Sequence, residues 1–276
     1  MHQTVPMQGP SNEPQDGAAQ MPSAVAPVWH TVALIAFILA VSIAGAYRSP
    51  GAVNLARVHR LQTYGVTAVL EAVLVGWVAL GLRLRRIPVR SLFGAVPGNP
   101  RSIALDAGIA IVFWVGSMSA LGTVALFWMS VEALLTHRLP QIQAGRMIPP
   151  SPGQQHAVQA VLRLAPSNGT EIACWILLCL VVGIAEELVF RGYLQRQFTA
   201  WARGAAAAGV VFSAITFGAA HGWEGVRSMF MLTIFGVFFS LLALFRRSLR
   251  AGIFAHGWHD MFMGLMVSFL HARHVL

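Results

Sequence analysis

Charged residues are scarce in this chain: 11% of its 276 residues are Asp, Glu, Lys or Arg, against 56% hydrophobic. With a mean hydropathy of +0.64, that balance excludes a soluble globular domain and leaves a polytopic membrane protein. Lysine is missing altogether, so all 19 basic residues are Arg, and nearly all fall between apolar segments. Positive charge there sets topology, so the net charge of +9 speaks for membrane loops and not for a nucleic-acid partner. The two cysteines, Cys174 and Cys179, lie five apart in one apolar segment, on different faces of a helix. An internal disulfide is disfavoured, and no redox compartment follows. Neither Cys-x-x-Cys nor His-Glu-x-x-His occurs, which weighs against the common zinc sites. No repeat of 20 to 50 residues is visible, which weighs against transporters built from repeated halves. Residues 1–27 lack Arg and Lys and any apolar period. They read as a disordered tail, and the missing basic n-region argues against a cleaved signal peptide.

What remains is apolar and helical. Spanning segments are expected at about 28–47, 61–82, 103–129, 170–200, 205–221, 229–245 and 251–270, the first of them long enough for a hydrocarbon core of about 30 Å. The fold class is all-α: a polytopic integral membrane helical bundle with about seven transmembrane helices. The domain reading is a tail (1–27), N-terminal transmembrane helices (28–129), a loop with a candidate interfacial helix at 154–164 (130–170), and a core (171–270). Thr170 is the expected N-cap of the fourth span, with Glu171 suited to the positive end of its dipole. Glu71, in the second span, is read first as a packed acid bonded to a neighbouring helix and second as a proton relay. His137 and His156 have polar surroundings and read as exposed.

The exceptions to this apolar pattern carry the chemistry. Gly183-Ile-Ala-Glu-Glu-Leu-Val-Phe-Arg-Gly192 puts two acids and an arginine into a spanning segment, where one such charge costs about 2.5–3.5 kcal/mol on insertion scales. They must face a bundle interior. Glu187 and Arg191 stand four apart, the favourable order for an ion pair, and Glu186 lies about 100° round the helix with no partner in its own segment. Two further polar groups follow, Phe217-x-x-x-His221 and His256-x-x-x-Asp260, each pair on one helix face. If the fourth and fifth spans turn near Arg203-Gly204, Glu186 lies seventeen residues before the turn and His221 seventeen after it. Both are then about 25 Å from the turn, at one depth. His256, six residues after Arg250, reaches that level only if the hairpin tip projects from the hydrocarbon. Carboxylates and imidazoles converging in a bilayer suit proton movement or the activation of water.

Taken together, Glu186-Glu187-x-x-x-Arg191, Phe217-x-x-x-His221 and His256-x-x-x-Asp260 resemble the three motifs of the CAAX protease and bacteriocin-processing (CPBP, or Abi) family of intramembrane glutamic endopeptidases. The resemblance covers about residues 170–265. It implies an all-helical bundle with a conical cavity, no cofactor and no required metal. It further implies that Glu186 is the general base on water, assisted by His221, that His256 and the residue at 260 stabilise the oxyanion, and that Glu187 and Arg191 hold the first motif. The implied partners are a peptide or protein at the membrane, lipidated or otherwise anchored, and the bilayer itself; the family's distribution implies a bacterial inner membrane. Many members carry Asn where this chain has Asp260, and an ionised Asp cannot donate to an oxyanion. Either Asp260 is protonated, or it orients His256 or His259 and leaves the oxyanion to an imidazole. Two other readings stand beside this one. Glu186, His221 and His256 could form a metal-binding set of two histidines and a carboxylate, or the acids could serve a non-catalytic transport, immunity or scaffold protein.

Overall fold

The computed structural model describes residues 23–48, 59–94, 98–136 and 152–273. Eight helices account for most of them: α1 (Val28–Arg48), α2 (Arg60–Leu84), α3 (Pro100–Leu135), α4 (Pro152–Leu164), α5 (Gly169–Trp201), α6 (Ala206–Ala220), α7 (Val226–Arg246) and α8 (Arg250–Ala272). No strand occurs among the described residues, and the all-α membrane bundle expected from the sequence is what forms. Residues 1–22 of the expected tail, together with His137 and the side chain of His156, lie outside the described residues.

Five helices, α1, α2, α3, α5 and α7, are long and apolar enough to cross a bilayer. The other two of the seven expected spans differ for separate reasons. α6 has 15 residues, about 22 Å of helix, and α8 has the length but carries His256, His259 and Asp260 along its middle. The third span is also longer than expected: α3 continues to Leu135, so the loop expected from residue 130 begins later. The cap of α5 is Asn168 and not Thr170. Its side chain accepts from the Glu171 amide at 3.0 Å, while the Glu171 carboxylate accepts from the Ser167 amide and hydroxyl at 2.7 and 2.8 Å.

Of the five spanning helices α5 is the most buried and α3 the least. The exposed apolar side chains of α3, such as Val112, Leu126 and Phe127, are what a lipid solvent requires. Several buried polar side chains of α5 are paired across the bundle, where an unpaired polar group is costly. Gln197, fully buried, accepts from the amides of Val25 and Ala26 and donates to the Ala26 carbonyl, pinning the residues just before α1. The Tyr193 hydroxyl shares hydrogen bonds with His30 Nδ1 and Thr31 Oγ1. Asp106, also fully buried, is held by Arg246 at 2.6 Å and Arg250 at 2.5 Å, which ties α3, α7 and α8 together at one end.

Two turns fix the depth of the site. The α5–α6 hairpin closes through Arg203 (φ 56°) and Gly204 (φ 93°), the turn expected from the sequence. The α7–α8 turn lies much deeper, where Leu249 packs on Gly192. Along the antiparallel α5–α8 seam, Gly192 faces Leu249, Glu187 faces Gly252, Gly183 faces Gly257 and Trp175 faces Gly264. Six residues back from Gly192 is Glu186, and six on from Arg250 is His256. His256 therefore reaches the level of Glu186 because the second turn is recessed. The α5–α6 hairpin continues past that turn to Arg203 and Gly204, and its Gln195 and Gln197 are buried.

Candidate active site

The first motif straddles a change of helix type. α5 is α-helical to Glu186 and a π-helix from Glu187 to Leu194, with every residue of that stretch buried. π segments are rare and concentrate at functional sites. On this stretch the Glu187 carboxylate is fully enclosed. Its Oε1 lies 3.1 Å from Arg191 Nη1 and accepts from His256 Nδ1 at 3.2 Å. A side chain at Gly252 would collide with Glu187 Oε2. The Arg191 guanidinium sits 4.4 Å from the Phe217 ring and 5.0 Å from the Phe239 ring, and donates to the Gly236 carbonyl. Ring faces and a carbonyl thus replace water around a cation inside the bundle.

Glu186, one residue earlier, points the other way, into a cavity of about 1120 Å³. Its Oε2 is 3.3 Å from His256 Nε2. The His256 ring therefore spans the two carboxylates, with Nδ1 on the buried Glu187 and Nε2 on Glu186. Asp260 Oδ2 is 3.8 Å from the same Nε2, too far for a hydrogen bond. His221 ends α6, its ring tilted against Phe217 at 4.9 Å between centroids. Its Nδ1–H donates to the Phe217 carbonyl at 2.9 Å, and a carbonyl only accepts. In the neutral ring Nε2 is then left as an acceptor. Glu186, His221, His256 and Asp260 all line the one cavity.

Three lining residues had little or no place in the sequence reading. Glu71 is buried, yet its Oε2 has no hydrogen-bond partner and its carboxylate faces the cavity wall. The expectation of an acid bonded to a neighbouring helix is corrected, because α2 presents it to the chamber and not to a seam. Glu224, in the turn after α6, lines the cavity too; burial pushes its carboxyl above the ordinary range, with His221 drawing it down and Glu186 adding to the rise. His259 lines the chamber one turn from His256. Among the described residues no group of three or more His, Cys, Asp or Glu converges as a metal-binding set.

The contact between α5 and α8 depends on glycine. A Cβ at Gly183 would stand 2.9 Å from the Gly257 amide nitrogen and 3.3 Å from the Ile253 carbonyl oxygen, both backbone atoms that cannot rotate away. Gly183→Val is expected to force the helices apart, lowering stability by about 1–3 kcal/mol and any turnover that depends on the chamber by about 10²-fold, since displacements near 1 Å cost that much. Thermal melting and turnover of the purified variant check it; wild-type turnover would show that the seam does not set the Glu186–His256 distance.

The fold and this chamber define a multi-pass helical membrane protein whose polar groups gather where water-using chemistry can occur away from lipid. Residues 168–262 match the Rce1-like family model, described as type II CAAX prenyl endopeptidase Rce1-like. The matched stretch holds all three motifs. The match spans about a third of the chain and agrees with the family resemblance that those motifs carry. No curated protein and no solved structure matches the chain.

Proposed function

We propose that the chain hydrolyses a peptide bond of a membrane-associated or lipidated protein or peptide in a bacterial inner membrane, using a water molecule deprotonated by Glu186 and no metal ion. The observation that carries this reading is the Glu186 carboxylate in the chamber, 3.3 Å from His256 and beside a second cavity-lining imidazole, His221. One water proton passes to Glu186 as the oxygen bonds to the carbonyl carbon, and the carbonyl oxygen becomes an oxyanion. The C–N bond then breaks, and the proton held by Glu186 goes to the leaving nitrogen. The products are a carboxylic acid and an amine.

The remaining groups support this sequence of steps. His221, with Nδ1–H engaged by the Phe217 carbonyl, offers Nε2 as an acceptor that orients the attacking water. His256 faces carboxylates with both ring nitrogens, so its role is to hold Glu186 in position, with Asp260 near the same nitrogen. Glu187 and Arg191 hold His256 in turn. A mostly apolar chamber with a few placed polar groups suits a peptide carrying an apolar anchor.

Metal independence has a direct test. The protein in lipid nanodiscs is expected to cleave an internally quenched prenylated CAAX peptide at the same rate before and after exhaustive chelation. Activity lost on chelation and restored by Zn²⁺ overturns the metal-free mechanism. The natural substrate is sought by comparing membrane-peptide inventories of cells carrying wild-type and Glu186→Gln protein, in which the uncleaved substrate should accumulate.

A further inference from the structure

One requirement of the proposed reaction is unmet by the groups assigned so far: a hydrogen-bond donor for the oxyanion. His256 faces carboxylates on both sides, so neither of its ring nitrogens is free to donate. We propose that His259 is a catalytic residue of this site, donating its Nε2–H to the developing oxyanion, and that Trp114 is the positioning residue that fixes the required tautomer.

The assignment rests on the direction of one hydrogen bond. Trp114 Nε1 lies 3.3 Å from His259 Nδ1. An indole nitrogen donates and never accepts. Nδ1 must therefore carry a lone pair, and the neutral ring must carry its proton on Nε2. That second nitrogen has no hydrogen-bond partner among the described residues, and His259 lines the same chamber as Glu186. The tautomer is the opposite of the one His221 adopts, where a carbonyl holds Nδ1–H. The two imidazoles are thus set by different backing groups for opposite tasks, one accepting and one donating.

Position fits as well. His259 packs edge-on against Phe235 at 4.8 Å, His256 lies tilted against Phe239 at 5.2 Å, and the two phenylalanines touch each other one turn apart on α7. The paired rings hold His259 three residues, about 4.5 Å of helix rise, from the imidazole that touches Glu186. Trp114 is itself wedged edge-on against Phe262 at 5.0 Å, which keeps the indole aimed at His259. The donor is rigid before substrate arrives, the condition under which such groups lower a barrier.

This inference rests on the hydrolytic reading, and the test separates the two. The full chain in lipid nanodiscs is assayed on the internally quenched prenylated CAAX peptide, with histidine ¹⁵N spectra as a second measurement. His259→Phe is expected to lower kcat about 10²–10³-fold with KM little changed. His259→Gln, which keeps an N–H donor, should recover part of that loss. Trp114→Phe should lower kcat too, but add nothing to His259→Phe, because it acts through the same ring. The spectra should place the His259 proton on Nε2 in the wild type and show that preference weakened in Trp114→Phe. Wild-type turnover by His259→Phe, while Glu186→Gln is dead, overturns the donor assignment and leaves the hydrolytic reading standing. Full turnover by Glu186→Gln sinks the hydrolytic reading itself. A proton on Nδ1 of wild-type His259 overturns the donor assignment whatever the substrate.

Discussion

Glu186→Gln is expected to fold, insert and melt like the wild type while losing about 10²- to 10⁴-fold in peptide hydrolysis, the usual contribution of a positioned general base. The amide is nearly isosteric with the carboxylate, so its oxygen can keep the 3.3 Å contact with His256 Nε2. What it cannot do is take a proton from water. Stability should be unaffected, because the buried ion pair belongs to Glu187 and the Glu186 side chain is 13% exposed toward the chamber. His221→Ala should fall in the same direction with a smaller loss, since His221 orients the water and does not receive its proton. Turnover on the prenylated peptide and a thermal melt, measured on the same preparation, decide the matter. A Glu186→Gln protein that cleaves at the wild-type rate would remove the base from the mechanism; one that fails to fold would move Glu186 into the structural group beside Glu187.

The division of labour between these neighbouring carboxylates was only half legible in the sequence. Their cost in an apolar segment announced a bundle interior, and the four-residue spacing to Arg191 selected Glu187 as the paired acid. The helical arithmetic that put Glu186 and His221 at one depth relied on a turn that Arg203 and Gly204 do form. For His256 the same arithmetic gave only a condition, that the α5–α6 tip project. The recessed α7–α8 turn depends on Leu249 packing against Gly192 and on the Asp106 clamp holding Arg246 and Arg250. Those contacts join residues some 60 to 145 positions apart, and no local pattern reports them. The π segment was hidden as well, since an apolar period does not report a shift of hydrogen bonding within one helix. Glu71 and the Trp114–His259 bond were illegible too: a helix period gives the face a residue occupies but not which neighbour that face meets. Asn168 was readable, because Asn-x-x-Glu is a capping spacing, yet Thr170 stood closer to the apolar run.

Arg191→Ala is expected to cost about 3–5 kcal/mol of stability, because it leaves the Glu187 carboxylate buried without its cation. Both side chains are almost wholly enclosed, at 1% and 0% exposure, so solvent cannot compensate. The guanidinium also fills the space between the Phe217 and Phe239 rings, and its removal opens a void that adds to the loss. Chemistry should suffer less than folding. The surviving folded fraction retains Glu186 in the chamber, so its turnover is expected within about tenfold of wild type, well short of the loss of a general base. A second substitution separates charge from shape. In Arg191→Met with Glu187→Gln the orphaned charge is gone and most of the volume is kept, and replacing both members of a buried pair is often far milder than removing one. The double variant should therefore regain much of the melting temperature lost by Arg191→Ala. Its turnover should still lag, because His256 Nδ1 now faces an amide and no longer an anion, and the ring that holds Glu186 is less firmly set. Unchanged expression and melting in Arg191→Ala, coupled with abolished turnover, would instead place the guanidinium in the reaction and not beneath it.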